Sequence, residues 1–220
     1  MKSAEDSIDI DSFWEYADPA SSEWRFRARL SSAQGDERLE LLTQIGRTYG
    51  LRQRIDEAHQ ILDQVEAELI NAGPRPHIRY LLERGRTYNS SGEGEKARTL
   101  FVEAWERSVA THHEGLAVDA AHMLAITYSG KPEAIDWNRR GLGLARGSED
   151  PKALALVPAM LNNTPGICMT WDASPRPCPC FRKHSKRGWN VANQTKSWLP
   201  GRRSRNVFDP LAGMPSLLRS

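Results

Sequence analysis

Two groups of side chains in this sequence have types and spacings that could do chemistry. His112, His113 and His122 lie near Asp119, and the three-residue step from Asp119 to His122 sets them on one face of a helix. There a carboxylate could orient an imidazole as a general base, or the pair could begin a metal site. Further along, Cys168, Cys178, Cys180 and His184 are the thiolate and imidazole donors that zinc takes. Neither group meets the full requirement of its chemistry. The histidines come with no nucleophile and no pocket-forming pattern, so they and Asp119 read as surface polar residues. The cysteines lack the two-residue gap of paired zinc ligands, and Pro179 stands between Cys178 and Cys180. There is no nucleophile elbow and no phosphate-binding glycine loop, because Gly141-Leu142-Gly143 is too short to form one. The expectation is a protein that is not an enzyme and takes no cofactor and no metal.

The elements that would position these residues are helical. From Asp36 to Gly147 apolar residues recur at three- and four-residue intervals, broken at Gly or Pro. Leu39, Leu42, Ile45 and Tyr49 form one stripe, and Ala58, Ile61, Leu62, Val65 and Leu69 the next, which stops at Gly73-Pro74. A third stripe runs Ile78, Leu81, Leu82, Gly85 and Tyr88, and a fourth Ala97, Leu100, Phe101, Ala104 and Trp105. No useful length alternates with period two, so the expected fold class is all-α. Mean hydropathy is -0.60 and no apolar run approaches the ~18 residues of a membrane helix. Met1 to Glu15 is acidic and polar, unlike a secretory signal, and the expected location is the cytoplasm with no membrane partner.

Self-similarity organises the helices. Gly46-Arg47-Thr48-Tyr49 returns as Gly85-Arg86-Thr87-Tyr88, thirty-nine residues on, and Ala58 returns as Ala97 at the same offset. Leu62 then matches Phe101. A third copy places Tyr128 forty residues after Tyr88, and Glu133-Ala134 near the position matching Ala97. These residues resemble the tetratricopeptide repeat (TPR), in which a small residue and an aromatic stand three apart on one helix and Ala, an aromatic or Leu, and Ala follow on the next. Leu81, Gly85, Tyr88, Ala97, Phe101 and Ala104 carry nearly the whole pattern. Repeat one has Val65 for the last Ala, and the third copy has Asn138 at the aromatic position. The spacing exceeds the ~34 residues of the commonest form.

The resemblance implies a short right-handed TPR-like α-solenoid of helical hairpins over 19–163, in which Gly46 and Gly85 admit the second helix of each pair. It also implies a scaffold that binds a protein or extended peptide. Groove positions carried over from the family are Thr43 and Arg47, then Arg79, Leu82, Arg86 and Asn89, then Asp119 and His122. Arg47, Arg79 and Arg86 would make that surface basic, and arginine forks suit carboxylates, so an acidic peptide or chain terminus is the expected ligand. Arg47 stands where carboxylate-clamp members have Asn, which argues against chaperone-tail specificity.

The ends differ from the repeats. Residues 1–18 are expected to be flexible. Phe13-Trp14-Glu15-Tyr16 and Trp24-Arg25-Phe26 suggest that Pro19 to Ala33 forms a capping helix on the first hairpin, with a partner-binding motif as the alternative. Residues 164–220 carry ten Lys or Arg against two Asp, a net charge of +8; the whole chain is +2, which leaves -6 for the rest. They hold all three cysteines, no periodicity and many prolines, and an irregular, poorly packed tail is expected.

Arg182, Lys183, Lys186, Arg187, Arg202, Arg203 and Arg205, with Trp189 or Trp198, could contact nucleic acid. The favoured expectation is different. Read from the third base of each codon, Met169-Thr170 must encode Asp, Trp171-Asp172 Gly and Met214-Pro215 Ala, and the surrounding residues can then restore the repeat pattern with Ala near 176 and 216. The tail is therefore expected to be out-of-frame translation entered between Asn163 and Cys168, which the coding DNA checks. A regulatory or sensor fragment of a signalling or transcription protein remains a second functional reading.

Overall fold

The computed structural model describes residues 9–162. Among them are eight α-helices and no strand, in the order α1 (Pro19–Leu30), α2 (Gly35–Leu51), α3 (Ile55–Glu68), α4 (Pro74–Ser90), α5 (Gly94–Ala110), α6 (Glu114–Thr127), α7 (Pro132–Gly147) and α8 (Pro151–Asn162). Short 3-10 turns stand at Ile10–Phe13 and Leu69–Asn71. The all-α expectation holds over this range. No described helix is long and apolar enough to cross a membrane. The cysteine set, the basic tail, the frameshift and the 164–220 segment lie outside the described residues.

The helix boundaries follow local chemistry. The Asp18 carboxylate accepts from the backbone N–H groups of Ala20 and Ser21 at 3.1 and 3.2 Å, and Pro19 occupies the first turn, where its missing N–H costs nothing. At the other ends, left-handed residues stop three helices in the same way. Gln53, Gly92 and His112 have φ of 62°, 88° and 58°. The next N–H then turns back five residues: Arg54 to the Tyr49 carbonyl, Glu93 to Tyr88 and His113 to Ser108. This closure satisfies carbonyls that the helix end would otherwise orphan.

Each helix packs on the next, and α2, α4, α6 and α8 also pack one on another. The glycines set how close the partners come. A Cβ on Gly46 would stand 3.2 Å from Leu62 Cγ, and one on Gly85 would stand 2.6 Å from the Phe101 ring. Gly141 faces Met160 and Ala121 equally tightly. Ala58, Leu62 and Val65 of α3 and Ala97, Phe101 and Ala104 of α5 are completely buried, so matched positions of the two copies play matched parts in the core. Tyr49 is buried and Tyr88 half-buried against the same core. Near the far end, α6 carries the apolar core from one cluster to a second. Its Leu116, Ala120, Met123 and Leu124 join the first, while Val118 and Ala121 meet Leu142, Ala145, Ala153, Val157 and Met160.

Of the N-terminal stretch 1–18 expected to be flexible, residues 9–18 are described, and they lie packed on the first helices. Ile10 is fully buried, and Phe13 stacks on Phe26 of α1 at 5.8 Å between centroids. The Ser22 hydroxyl and the Glu15 backbone also exchange hydrogen bonds, with Glu15 N–H donating at 2.7 Å. The helix expected over Pro19 to Ala33 forms as α1 but stops at Leu30, and it packs on α2. There Tyr49 Oη donates to Glu23 at 3.0 Å, and Arg52 also pairs with Glu23.

The Phe101 ring fills the space beside Gly85 as a rigid, fully buried group. Gly85→Ala is therefore expected to cost about 1–3 kcal/mol, because overpacking outweighs the helical gain of alanine. Gly143→Ala, which meets nothing within 4 Å, is expected to be neutral or up to about 1 kcal/mol stabilising. Urea melts of the two variants check both signs.

Candidate recognition face

On α2, Glu40, Gln44 and Arg47 occupy positions i, i+4 and i+7 of one helical face. On α4, Arg79, Glu83 and Arg86 repeat that spacing thirty-nine residues later. Because α2 and α4 pack together, side chains one period apart touch. Arg79 Nε donates to Glu40 Oε2 at 2.9 Å, joined there by Arg75 Nε at 3.0 Å. Gln44 Nε2 donates to Glu83 Oε1 at 3.3 Å. The Glu83 oxygen also receives Arg86 Nη1 at 2.8 Å and lies 3.5 Å from Arg47 Nη1. From α4 the chain of charges passes to α6, where Arg86 Nη2 donates to both oxygens of Asp119 at 2.6 Å.

Arg47, Glu83 and Arg86 of this network are nearly dry, while Asp119 keeps 20% of its side chain exposed. The Glu83 side chain is 1% exposed, and its second oxygen has no hydrogen-bond partner among the described residues. Burial alone would favour a neutral Arg86, but Asp119 and Glu83 outweigh it and raise its proton affinity. Burial would likewise keep Asp119 protonated, and the guanidinium of Arg86, assisted by Arg47, instead holds its carboxyl below the usual carboxylate range. Removing a partner from such an arrangement leaves an uncompensated buried charge, so the four groups stand or fall together.

His122, one turn on from Asp119, is buried among these charges. Desolvation pushes its imidazole down to about 4, against the pull of Asp119 and with the push of Arg86. It is neutral across physiological pH.

The aromatic N-terminal segment completes the face. Trp14 Nε1 donates to Gln44 Oε1 at 3.0 Å, and the Arg47 guanidinium lies 5.1 Å from the Trp14 ring and 5.5 Å from the Tyr16 ring. Trp14 and Tyr16 stack on each other at 4.9 Å. Gln44 thus links the indole to buried Glu83, accepting from one and donating to the other.

The eight groove positions carried over from the resemblance separate in the structure. Arg47, Arg86 and Asp119 meet in one network with His122 beside it, while Arg79 belongs to the neighbouring pair with Glu40. Thr43 is fully buried, its hydroxyl donating to the Glu40 carbonyl at 2.6 Å, and Leu82 lies in the apolar core. Asn89 sits in the last turn of α4, apart from the charges, where its carbonyl accepts from Gly92.

Two expectations change. The arginines do not form a basic surface, since each guanidinium is matched by a carboxylate of this chain. Asp119 and His122 are not surface polar residues; one is ion-paired with Arg86 and the other buried. Sequence reasoning missed Glu40, Gln44 and Glu83, whose signal was the same thirty-nine-residue offset applied to polar rather than apolar positions. Among the described residues no three His, Cys, Asp or Glu side chains converge as a metal ion would require.

Comparison with known proteins found no family model that matches the sequence, and no curated protein and no solved structure similar to it.

The depressed imidazole makes stability depend on pH. The unfolded chain binds a proton at His122 below about 6.5 and the folded chain only below about 4. Stability is therefore expected to fall as pH drops between those values, by at most about 3 kcal/mol. His122→Gln should shrink the loss in that window, leaving the part from His59 and His113, whose imidazoles burial also depresses. The loss from Asp119, whose folded carboxyl is depressed, begins only below about 4 and should persist in the variant. Urea titrations at half-unit pH steps measure both.

Proposed function

We propose that this chain is a recognition scaffold, a short right-handed TPR-like solenoid that binds a protein or extended peptide on the row formed by α2, α4, α6 and α8 and has no catalytic activity of its own. One observation carries the reading. Side chains one repeat apart, Glu40 with Arg79 and Gln44 with Glu83, make direct hydrogen bonds. A helix row whose register equals the sequence period is what stacked hairpins produce, because each hairpin can bury its apolar side only against the next. The same stacking aligns the first helices of successive pairs into one continuous surface of the kind that takes an extended chain.

The chemistry of that surface favours a mixed ligand over a purely acidic one. Arg47 offers a guanidinium flank to aromatic rings, and Gln44 offers a carbonyl to an indole or amide N–H. The buried carboxylates leave little net positive charge to steer a polyanion. Fold-level likeness does not select the partner, and the residues on this face carry the argument.

Selection of random dodecapeptides on the full chain tests the reading. Enriched peptides are expected to bind in the micromolar range and to protect backbone amides of α2, α4 and α6 from hydrogen exchange. Absence of enrichment over an unrelated helical protein, or protection confined to α3, α5 and α7, would overturn it.

A further inference from the structure

The recognition row already has an occupant. Ile10–Phe13 and the residues after it lie against both ends of the row. Asp11 Oδ2 is 3.1 Å from Lys152 Nζ of α8, while Trp14, three residues later, bonds Gln44 of α2. A 3-10 turn advances about 2 Å per residue, so about 6 Å of backbone, lengthened by side chains, bridges the first and last helices of the row. The row therefore curves around this segment.

The grip on the segment differs along its length. Ile10 is fully buried and acts as an anchor. Beyond it, Phe13, Trp14 and Tyr16 are only half-buried, and Asp11, Glu15, Ala17 and Asp18 are exposed. What holds Trp14 and Tyr16 to α2 is one indole hydrogen bond and one guanidinium over two rings, and what holds Asp11 to α8 is one ion pair at the rim. Phe13 and Trp14 also pack on Phe26 of α1, and Glu15 bonds Ser22 there, but the contacts to α2 and α8 are those a docked peptide makes, and each of these could be made equally well by a chain from elsewhere.

We propose that residues 9–18 are a built-in ligand of the recognition row, and that the partner this protein takes is a peptide of another protein presenting the same pattern: a carboxylate, a tryptophan three residues on, and a second aromatic two residues after that. Lys152 receives the carboxylate, Gln44 the indole N–H and Arg47 the faces of both rings. Tethering gives the internal copy an effective concentration in the millimolar range, so a weaker foreign peptide does not displace it. Binding is gated by how well a competitor out-contacts Asp11, Trp14 and Tyr16. The proposal rests on the reading of the row as a recognition face.

The test uses the full chain and a fluorescent synthetic peptide, Asp-Ile-Asp-Ser-Phe-Trp-Glu-Tyr-Ala-Asp, which is residues 9–18. Fluorescence anisotropy is read with the intact chain, with Trp14→Ala, and with Trp14→Ala combined with Arg47→Lys, which keeps the charge beside Glu83 but loses the planar guanidinium. Trp14→Ala is expected to bind the peptide at least about tenfold more tightly than the intact chain, and Arg47→Lys to reverse much of that gain. The same peptide with Trp14→Ala and Tyr16→Ala should not bind. Equal binding to the intact and Trp14→Ala chains, or equal binding of the control peptide, overturns the proposal. If Trp14→Ala loses its cooperative melt, Asp11→Ala replaces it, since Asp11 is exposed and its loss weakens the internal segment while leaving Lys152 free to receive the added peptide. A gain of about threefold supports the proposal, and an unchanged affinity overturns it. Library peptides that bind the row without competing with the self-peptide would defeat this inference and leave the scaffold reading intact. Failure of the self-peptide and of every library peptide to bind any of the chains would defeat the scaffold reading, and this inference with it.

Discussion

Charged groups can be buried between helices only when each finds its counter-charge, and that constraint governs how α2, α4 and α6 meet. Desolvating a guanidinium or a carboxylate costs several kcal/mol, and a partner repays it only at hydrogen-bonding distance. Glu83 sits between Arg47 and Arg86, and Arg86 closes a two-oxygen grip on Asp119. A slip of one helix turn would leave some of these charges alone in the interior. The ion chain adds to the Gly85–Phe101 contact in fixing which face of α4 turns inward.

The glycines make that registration possible at short range. With no Cβ at Gly46 and Gly85, Leu62 and Phe101 lie directly on the backbone of the preceding helix, which brings paired helices close enough for neighbouring rows to share side chains. The repeated left-handed stops after Tyr49 and Tyr88 close both helices with the same backbone hydrogen bond. Packing, turn chemistry and charge pairing thus agree on a period near forty residues, and such agreement between levels is what distinguishes a specified fold from a merely compact one.

Much of this was legible in the sequence. Apolar spacing located α2 to α5, and the recurrence of Gly, Tyr and Ala identified which residues would be interior, as the complete burial of Ala58, Ala97 and Phe101 shows. The polar half was not legible, for a physical reason. Glu40, Gln44 and Glu83 on a helix read as a solvated face unless it is known that the next-but-one helix covers them. His122 and Asp119 were misjudged on the same ground, because α6 is buried on nearly every side. The contacts of residues 9–18 were not legible because an acidic, aperiodic stretch carries no sign of its acceptor, and only tertiary structure brings Trp14 to Gln44. That segment and the charge network meet at Gln44 and Arg47, so the residues that register the helices also hold the N-terminal segment.

The central claim is that the α4–α6 junction is fixed by a buried ion pair rather than by apolar contact alone. A double-mutant cycle on Arg86→Met and Asp119→Leu, followed by urea denaturation, measures it directly. The account predicts that each single variant is strongly destabilised and that the double variant recovers much of the loss, with a coupling energy of about 1.5–3 kcal/mol. Additive effects, within about 0.5 kcal/mol, would contradict it.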